Sequence, residues 1–294
     1  MDHNDVLASL SPNEKARLTA KSNSAGLRHL VAYLAAIAIT TIWIATGAAF
    51  WGLALVIQGI LLTFLFTLCH ECTHSTPFES KRLNEWVGWA SGAVILLPFV
   101  WFRYFHLAHH RHTTDPNRDP ELASAKPETW AEYLIHVSGL PYWKGEIATL
   151  ITNARGQANA PYLPASTLPR IRTEARRLIA LYLLLLSSLL ITPLVFYIWI
   201  LPILIGQPFL RLYLLAEHGR CPPVANMLEN TRTTCTNRIV RFLAWNMPYH
   251  IEHHSYPAVP FHALPALHKH MQDHLVSTSP SYSNFTRAYV QDLR

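Results

Sequence analysis

Two stretches of this chain carry no ionisable side chain, and they constrain its fold more than any other feature. From Leu30 to Cys69 there are 40 consecutive residues without Lys, Arg, Asp, Glu or His, and from Leu178 to Leu210 there are 33. A bilayer crossing takes about 20 apolar residues, so the first stretch holds two crossing helices. The second, extended past Arg211 to Ala216, holds two more. Gly and Pro interrupt helices, which places the turns at Thr46-Gly47 and Thr192-Pro193. The competing reading is a hairpin buried in a soluble core. Core helices of soluble proteins are amphipathic and seldom run this far without a charge, which disfavours it.

Charge placement sets the expected topology. Only 14% of the 294 residues are charged, against roughly 25% in soluble domains. Of the 24 Lys and Arg, 4 precede residue 29, 12 lie between 70 and 177, and 8 lie from 211 onward. Two hairpins put these three segments on one side and both uncharged turns on the other. By the positive-inside pattern the charged side is cytoplasmic. The net charge of +6 then sits on one face, open to anionic headgroups or an acidic protein. The first 29 residues are polar and precede no small-residue cleavage site, so no signal peptide is expected. The four cysteines lie near the reducing side. Cys69-His-Glu-Cys72 has C-x-x-C spacing, a weak signal for a redox or zinc role.

The chain thus reads as one all-α integral membrane domain over 1–294. Residues 1–28 form a cytoplasmic N-terminal segment, with Ser11-Pro12-Asn13-Glu14 as a helix cap. The first hairpin covers 29–69, a cytoplasmic or interfacial segment 70–177, the second hairpin 178–216, and a cytoplasmic C-terminal segment 217–294. From Trp86 to Phe102 there are 17 uncharged residues broken by Gly88, Gly92 and Pro98. A crossing here would carry the basic residues after 103 to the far side, so it reads as re-entrant or interfacial. Aromatic, mixed patches between 123 and 165 suit helices lying at the interface. Arg170 to Arg177 is a basic anchor before the third crossing.

The chain holds 17 histidines, and nine of them form a pattern. His70 and His74 are spaced i, i+4; His106, His109 and His110 are spaced i, i+3, i+4; His250, His253 and His254 repeat that spacing. On a helix such residues share a face. His218 follows the last crossing directly. All four elements fall at the cytoplasmic ends of the crossings, a coincidence the topology argument did not assume. One zinc takes about four protein ligands, so nine imidazoles imply two metals with four or five each. Imidazole suits Fe, Zn, Cu and Ni. A lone histidine is usually a structural or surface residue; two repeats of H-x-x-H-H with H-x-x-x-H at one depth are not explained that way. His3, His29, His136, His262, His268, His270 and His274 have no such partners and read as bystanders, with His112 doubtful.

His70-Glu-Cys-Thr-His74, His106-Leu-Ala-His-His-Arg-His-Thr113 and Asn246-Met-Pro-Tyr-His-Ile-Glu-His-His-Ser-Tyr-Pro257 resemble the three histidine boxes of the membrane fatty-acid desaturase and hydroxylase superfamily. The run from Trp245 to His268 is most similar to a bacterial branch that includes rhizobitoxine- and rhizopine-type desaturases. The resemblance covers about residues 40 to 270. It implies four spans forming two transmembrane hairpins, a cytoplasmic helical cap holding the di-metal site, and two iron ions bound by the box histidines. His218 matches the position of the family's extra ligand. Dioxygen is the implied co-substrate, attacking a C–H bond. Carboxylates and amides beside the boxes (Glu71, Asp115, Asp119, Glu217, Asn246 and Glu252) are candidates for orienting the metal-bound imidazoles; Asp115-Pro and Asp119-Pro equally suit plain turns.

The chain has no His-Pro-Gly-Gly motif of a fused cytochrome b5, and its third box begins with His250 rather than the Gln of front-end desaturases. Electrons are then expected from a separate ferredoxin- or rubredoxin-like protein on the cytoplasmic face. The expected partners are that donor, a lipid or amphiphilic substrate and the membrane (the inner membrane, for a bacterial chain), with no nucleic acid. The reading is an oxygen-dependent di-iron desaturase acting on an acyl chain or related amphiphile. A hydroxylase or monooxygenase on the same scaffold is the near alternative, a zinc-dependent membrane hydrolase the more distant one. A transporter would place ionisable residues inside the spans.

Overall fold

A computed structural model describes residues 2–294, and nearly all regular structure in them is helical. The N-terminal segment forms two short capped helices, α1 (His3–Ser9) and α2 (Pro12–Leu18). Ser11 and Glu14 close a capping box at α2, where Ser11-Pro12-Asn13-Glu14 predicts one. The first uncharged stretch becomes α3 (Asn23–Ala45), a turn at Gly47 and Phe50 with positive φ, then α4 (Trp51–Thr63) continued by α5 (Leu65–Thr73). Next come α6 (Lys81–Val94) and α7 (Phe99–His112), then α8 (Trp130–Val137), α9 (Leu140–Arg155) and α10 (Leu168–Ser187). A π-helical turn at Phe196–Ile200 leads into α11 (Leu201–His218). The C-terminal part holds α12 (Met227–Asn230), α13 (Arg238–Leu243), α14 (His250–Ser255), α15 (Leu264–Met271) and α16 (Tyr282–Gln291).

Three helical segments are long and apolar enough to cross a membrane: Pro12–Ala45, Trp51–Thr73 and Phe196–His218. A fourth candidate is the α6–α7 pair, which bends by 99° at Ile95–Pro98. The bend has local causes: Leu96 takes positive φ, and Gly92 accepts the backbone N–H of Leu97 at 2.8 Å. A Cβ on Gly92 would strike the Leu97 carbonyl, and one on Gly88 would strike the Phe99 ring. Helix α10 carries Arg170, Arg172, Glu174, Arg176 and Arg177 in its first half, which leaves only its second half apolar. Leu190 and Ile191 beyond it are about nine-tenths exposed, as is most of Phe50 at the other turn. Trp51 meets Tyr197 edge to face, so these two uncharged turns lie together. Val31, Leu34, Ile39, Ile42, Leu183 and Leu184 stand exposed along the helix flanks. Water would penalise that surface; lipid tails would not.

The scaffold that positions the histidines is the α4–α11 contact. Gly59 and Gly206 face each other so closely that a Cβ on either would strike the backbone of the opposite helix. Small residues permit this approach in apolar surroundings, where packing and interhelical hydrogen bonds replace the hydrophobic effect. Thr63 Oγ1 donates to Gly59 O at 2.9 Å and lies 3.3 Å from Gly206 O. Buried Gln58 donates to Thr41 Oγ1 at 2.9 Å and to Ile198 O at 3.1 Å, and it accepts from Thr40. Helix α7 is held at its start by α10, where Glu174 accepts the Val100 N–H at 2.9 Å. A carboxylate there satisfies one of the free donors of a helix N-terminus. The all-α expectation misses one small feature. Thr233–Thr234 pairs in parallel with Thr278–Ser279, a two-residue ladder that ties the C-terminal segments together.

Candidate metal centre

Four elements deliver the nine patterned histidines to one place. Helix α5 carries His70 and ends on His74; α7 carries His106, His109 and His110 on its last turns; α11 ends on His218; α14 carries His250, His253 and His254. Every residue of α14 is buried. In the first group, one ring nitrogen from each of His70, His74, His106, His110 and His253 lies within 4.8 Å of all the others. His70 Nε2 sits 2.7 Å from His253 Nε2, and His74 Nε2 sits 2.9 Å from His106 Nε2. A second group joins His109, His218 and His254 under the same limit. His250 stands at its edge, with Nε2 3.2 Å from that of His218. His110 and His254 stack at 3.9 Å between ring centroids, which makes the two groups adjacent.

This arrangement fits metal and fits little else. Both ring nitrogens of His110 and Nε2 of His254 are enclosed without a hydrogen-bond partner among the described residues. Buried polar atoms are normally paired, so such clustering needs an explanation. Burial first, then the neighbouring imidazoles, hold His250, His253 and His254 well below the ordinary imidazole range. They are neutral at pH 7, the form that ligates a metal.

A second layer acts on the outer nitrogens. His109 Nδ1 donates to Asp119 Oδ1 at 2.9 Å, with Glu121 Oε2 at 3.8 Å. Glu71 faces His253 Nδ1 at 3.4 Å, and Glu217 faces His250 Nδ1 at 3.5 Å. His218 Nδ1 meets the Asn230 carbonyl, and His254 Nδ1 meets Thr113 Oγ1, each at 3.2 Å. The hydrogen bonds on Nδ1 of His109, His218 and His254 fix those rings and turn Nε2 toward the group. Of the six candidates beside the boxes, Asp119 is hydrogen-bonded to a patterned imidazole. Glu71 and Glu217 approach His253 Nδ1 and His250 Nδ1 without a hydrogen bond, both nitrogens being unpartnered among the described residues.

The other three make no such approach. Asp115 pairs with Arg118 at 2.6 Å in an outer turn. Asn246 donates to Phe261 O at 2.9 Å and takes positive φ, a turn role. Glu252 points away from the cluster, pairing with His268 and accepting from Thr233 Oγ1 at 2.5 Å. Adjacency in sequence misled here because Glu252 faces another side of α14 than the histidines, and Asp115 and Asn246 lie in turns beyond the helices that carry the boxes. Thr113 and Asn230 are the partners sequence reading missed. Thr113 had one signal, its place one turn beyond His109; a main-chain carbonyl such as that of Asn230, the last residue of the short helix α12, has none. His112 stays outside both groups. His29 is a packing residue that stacks on Phe242. Cys69 and Cys72 are free and fully buried in the apolar core, and neither joins the histidine groups.

The profile of the family described as "Fatty acid desaturase" matches residues 46–286. Among curated proteins, a "Delta(12) fatty acid desaturase" of Mortierella alpina is 37% identical over 71 residues, 24% of this chain and 17% of the relative. An "sn-1 acyl-lipid omega-3 desaturase (ferredoxin)" of Synechocystis sp. is 39% identical over 70 residues, 24% of this chain and 18% of the relative. An oleate hydroxylase of Claviceps purpurea is 30% identical over 69 residues, 24% of this chain and 14% of the relative. The matched stretch thus spans less than a fifth of the length of each of these relatives. The family match is broader: it takes in all three histidine boxes, His218 and the helices that carry them, and by it this chain belongs to the fatty acid desaturase family.

Proposed function

We propose that this protein is a membrane oxidoreductase that introduces a double bond into an acyl chain or a related amphiphile, using dioxygen at two iron ions. The observation that carries the reading is the pair of adjacent, buried imidazole groups. His70, His74, His106, His110 and His253 would hold one ion; His109, His218, His254 and His250 would hold the other. Iron bound there would supply, with dioxygen, the oxidising strength needed to break an unactivated C–H bond. Desaturation consumes one dioxygen, two electrons and two protons, and it releases two waters. The protein's part is to hold the imidazoles of His109, His254 and His218 rigid through Asp119, Thr113 and Asn230, and to keep bulk water out. The aromatic wall of Phe66, Trp101, Phe102 and Phe105, beside His218, serves the second purpose.

The same reading places four spans in two hairpins within a single domain over 1–294, with the two apolar turns on one side. The histidine centre and the basic segments then face the cytoplasm. A separate ferredoxin- or rubredoxin-like donor docks there, as the name of the cyanobacterial relative suggests for that protein. A hydroxylase outcome would use the same histidines and leave one oxygen atom on the substrate carbon instead of a double bond; the oleate hydroxylase among the relatives keeps it in view. The test combines metal analysis of the purified protein with product profiling in a host supplied with a ferredoxin. About two iron atoms per chain and a new double bond that disappears without oxygen are expected. Two zinc ions with oxygen-independent activity would overturn the reading in favour of a hydrolase.

A further inference from the structure

A cavity of about 330 Å³ opens against His218 and Glu217. Its lining includes the aromatic Phe66, Trp101, Phe102 and Phe105 and the polar Arg211, Glu146, Glu121 and His136. Arg211 lies within the Phe196–His218 segment, seven residues before His218 on the same helix. Seven residues are close to two turns, so both side chains share a face, roughly 10 Å apart along the axis. The guanidinium is tethered but not satisfied. Nε donates to Gln207 Oε1 at 3.1 Å, and the group sits 4.6 Å over the Tyr142 ring. The Tyr142 hydroxyl is already committed to Ile95 O at 2.7 Å. Nη2 of Arg211 is enclosed with no partner among the described residues, and so is Oε2 of Glu146.

Glu146 does not neutralise this cation. Burial pushes its carboxyl up to about 8, and the nearby Arg211 only partly opposes that. At neutral pH Glu146 is therefore mainly protonated. Glu121 and Glu217 also line the cavity and act on Arg211 through space, but no carboxylate among the described residues forms an ion pair with its guanidinium. An enclosed charge without a partner is costly. Inside a span it marks a ligand or ion pathway by default.

We infer that Arg211 is the anchor for a carboxylate end group of a single-chain substrate, whose apolar part runs along Phe66, Trp101, Phe102 and Phe105 toward His218. This rests on the reading of the histidine centre as the place of reaction. The cavity volume is at the small end for ligand sites, roughly 300–1,000 Å³, which suits one chain with its head and not a whole two-chain lipid. The helix spacing makes Arg211 a ruler: the oxidised carbon lies on the order of ten ångströms from the carboxylate.

Binding to the full-length protein in detergent tests this without turnover. The probe is 12-bromododecanoate, whose bromine quenches tryptophan fluorescence; Trp101→Phe should remove most of the quenching and so locate the chain. Dodecanoate should compete about tenfold to a hundredfold better than its methyl ester, the range for losing a charge-assisted hydrogen bond. Arg211→Gln should bind the ester as the native protein does but lose the preference for the acid, and Arg211→Lys should keep part of it. The inference is overturned by equal binding of acid and ester to the native protein, or by an Arg211→Gln protein that retains the acid preference. Tighter binding of dodecyl phosphate than of dodecanoate would overturn the carboxylate assignment. If Arg211→Gln fails to bind even the ester, Arg211→Lys decides: ester binding intact with the acid preference gone overturns the anchor. A protein that shows the acid preference yet oxidises nothing leaves the anchor standing and defeats the desaturase reading instead.

Discussion

At the scale of single residues, the centre separates side chains that sequence places side by side. Asp115 and Asp119 both precede proline, yet only Asp119 accepts a hydrogen bond from His109 Nδ1. Asp119→Asn should lower iron affinity about tenfold to a hundredfold, as loss of an outer-layer partner does, while Asp115→Asn leaves it unchanged. Metal content after dialysis against a graded chelator distinguishes the two. His253→Ala should empty the centre, whereas His268→Ala should leave metal content near the native level, because His268 reaches Glu252 and not the cluster. Comparable metal loss in the two would undo the division between ligand and bystander. A further expectation concerns pH. The Glu146 carboxyl titrates near 8 when folded, against 4.5 for the ordinary group. The folded chain therefore holds a proton that the unfolded chain has released across that window, so stability falls as pH rises from about 4.5 to about 8. Glu146→Gln removes this slope. Melting midpoints in detergent at pH 5 and pH 8 should converge for the variant relative to the native protein.

At the scale of elements, what could be read from sequence was whatever repeats or persists. The uncharged runs gave the long helices, and i, i+3, i+4 spacing gave the shared faces of α7 and α14. Gly88, Gly92 and Pro98 predicted an interruption, and the 99° bend sits there. The close approach of α4 and α11 was not legible, since Gly59 and Gly206 are 147 positions apart and nothing local pairs them. The Thr233–Thr278 ladder was hidden for the same reason, being only two residues long. The helix contact carries its own prediction. Gly206→Leu should force the two helices apart and destabilise the fold by roughly 1–3 kcal/mol or more. Because α5 extends α4 and His218 ends α11, the same variant should also lose metal; a lower melting midpoint with full iron content would show that the centre does not depend on this contact.

At the scale of the whole molecule, charge placement is the strongest argument for orientation, and the fold adds that the two apolar turns come together at Trp51 and Tyr197. Cys235 is exposed and belongs to the segment assigned to the cytoplasm. In sealed vesicles a membrane-impermeant maleimide should label Cys235 from the cytoplasmic side only. A Leu190→Cys variant should label from the opposite side, after its native cysteines are replaced by serine. Labelling of both from one side would refute the two-hairpin arrangement.

The contact between His70 and His253 joins positions 183 residues apart. Everything between them, including both ends of α11, must be made and in place before these two rings can meet. A chain that has emerged only through its first box offers just His70 and His74 of the first group, which gains His253 only when the third box is made. If metal fills these groups as proposed, full coordination awaits the third box, and a chain lacking it would hold at most an incomplete set of ligands.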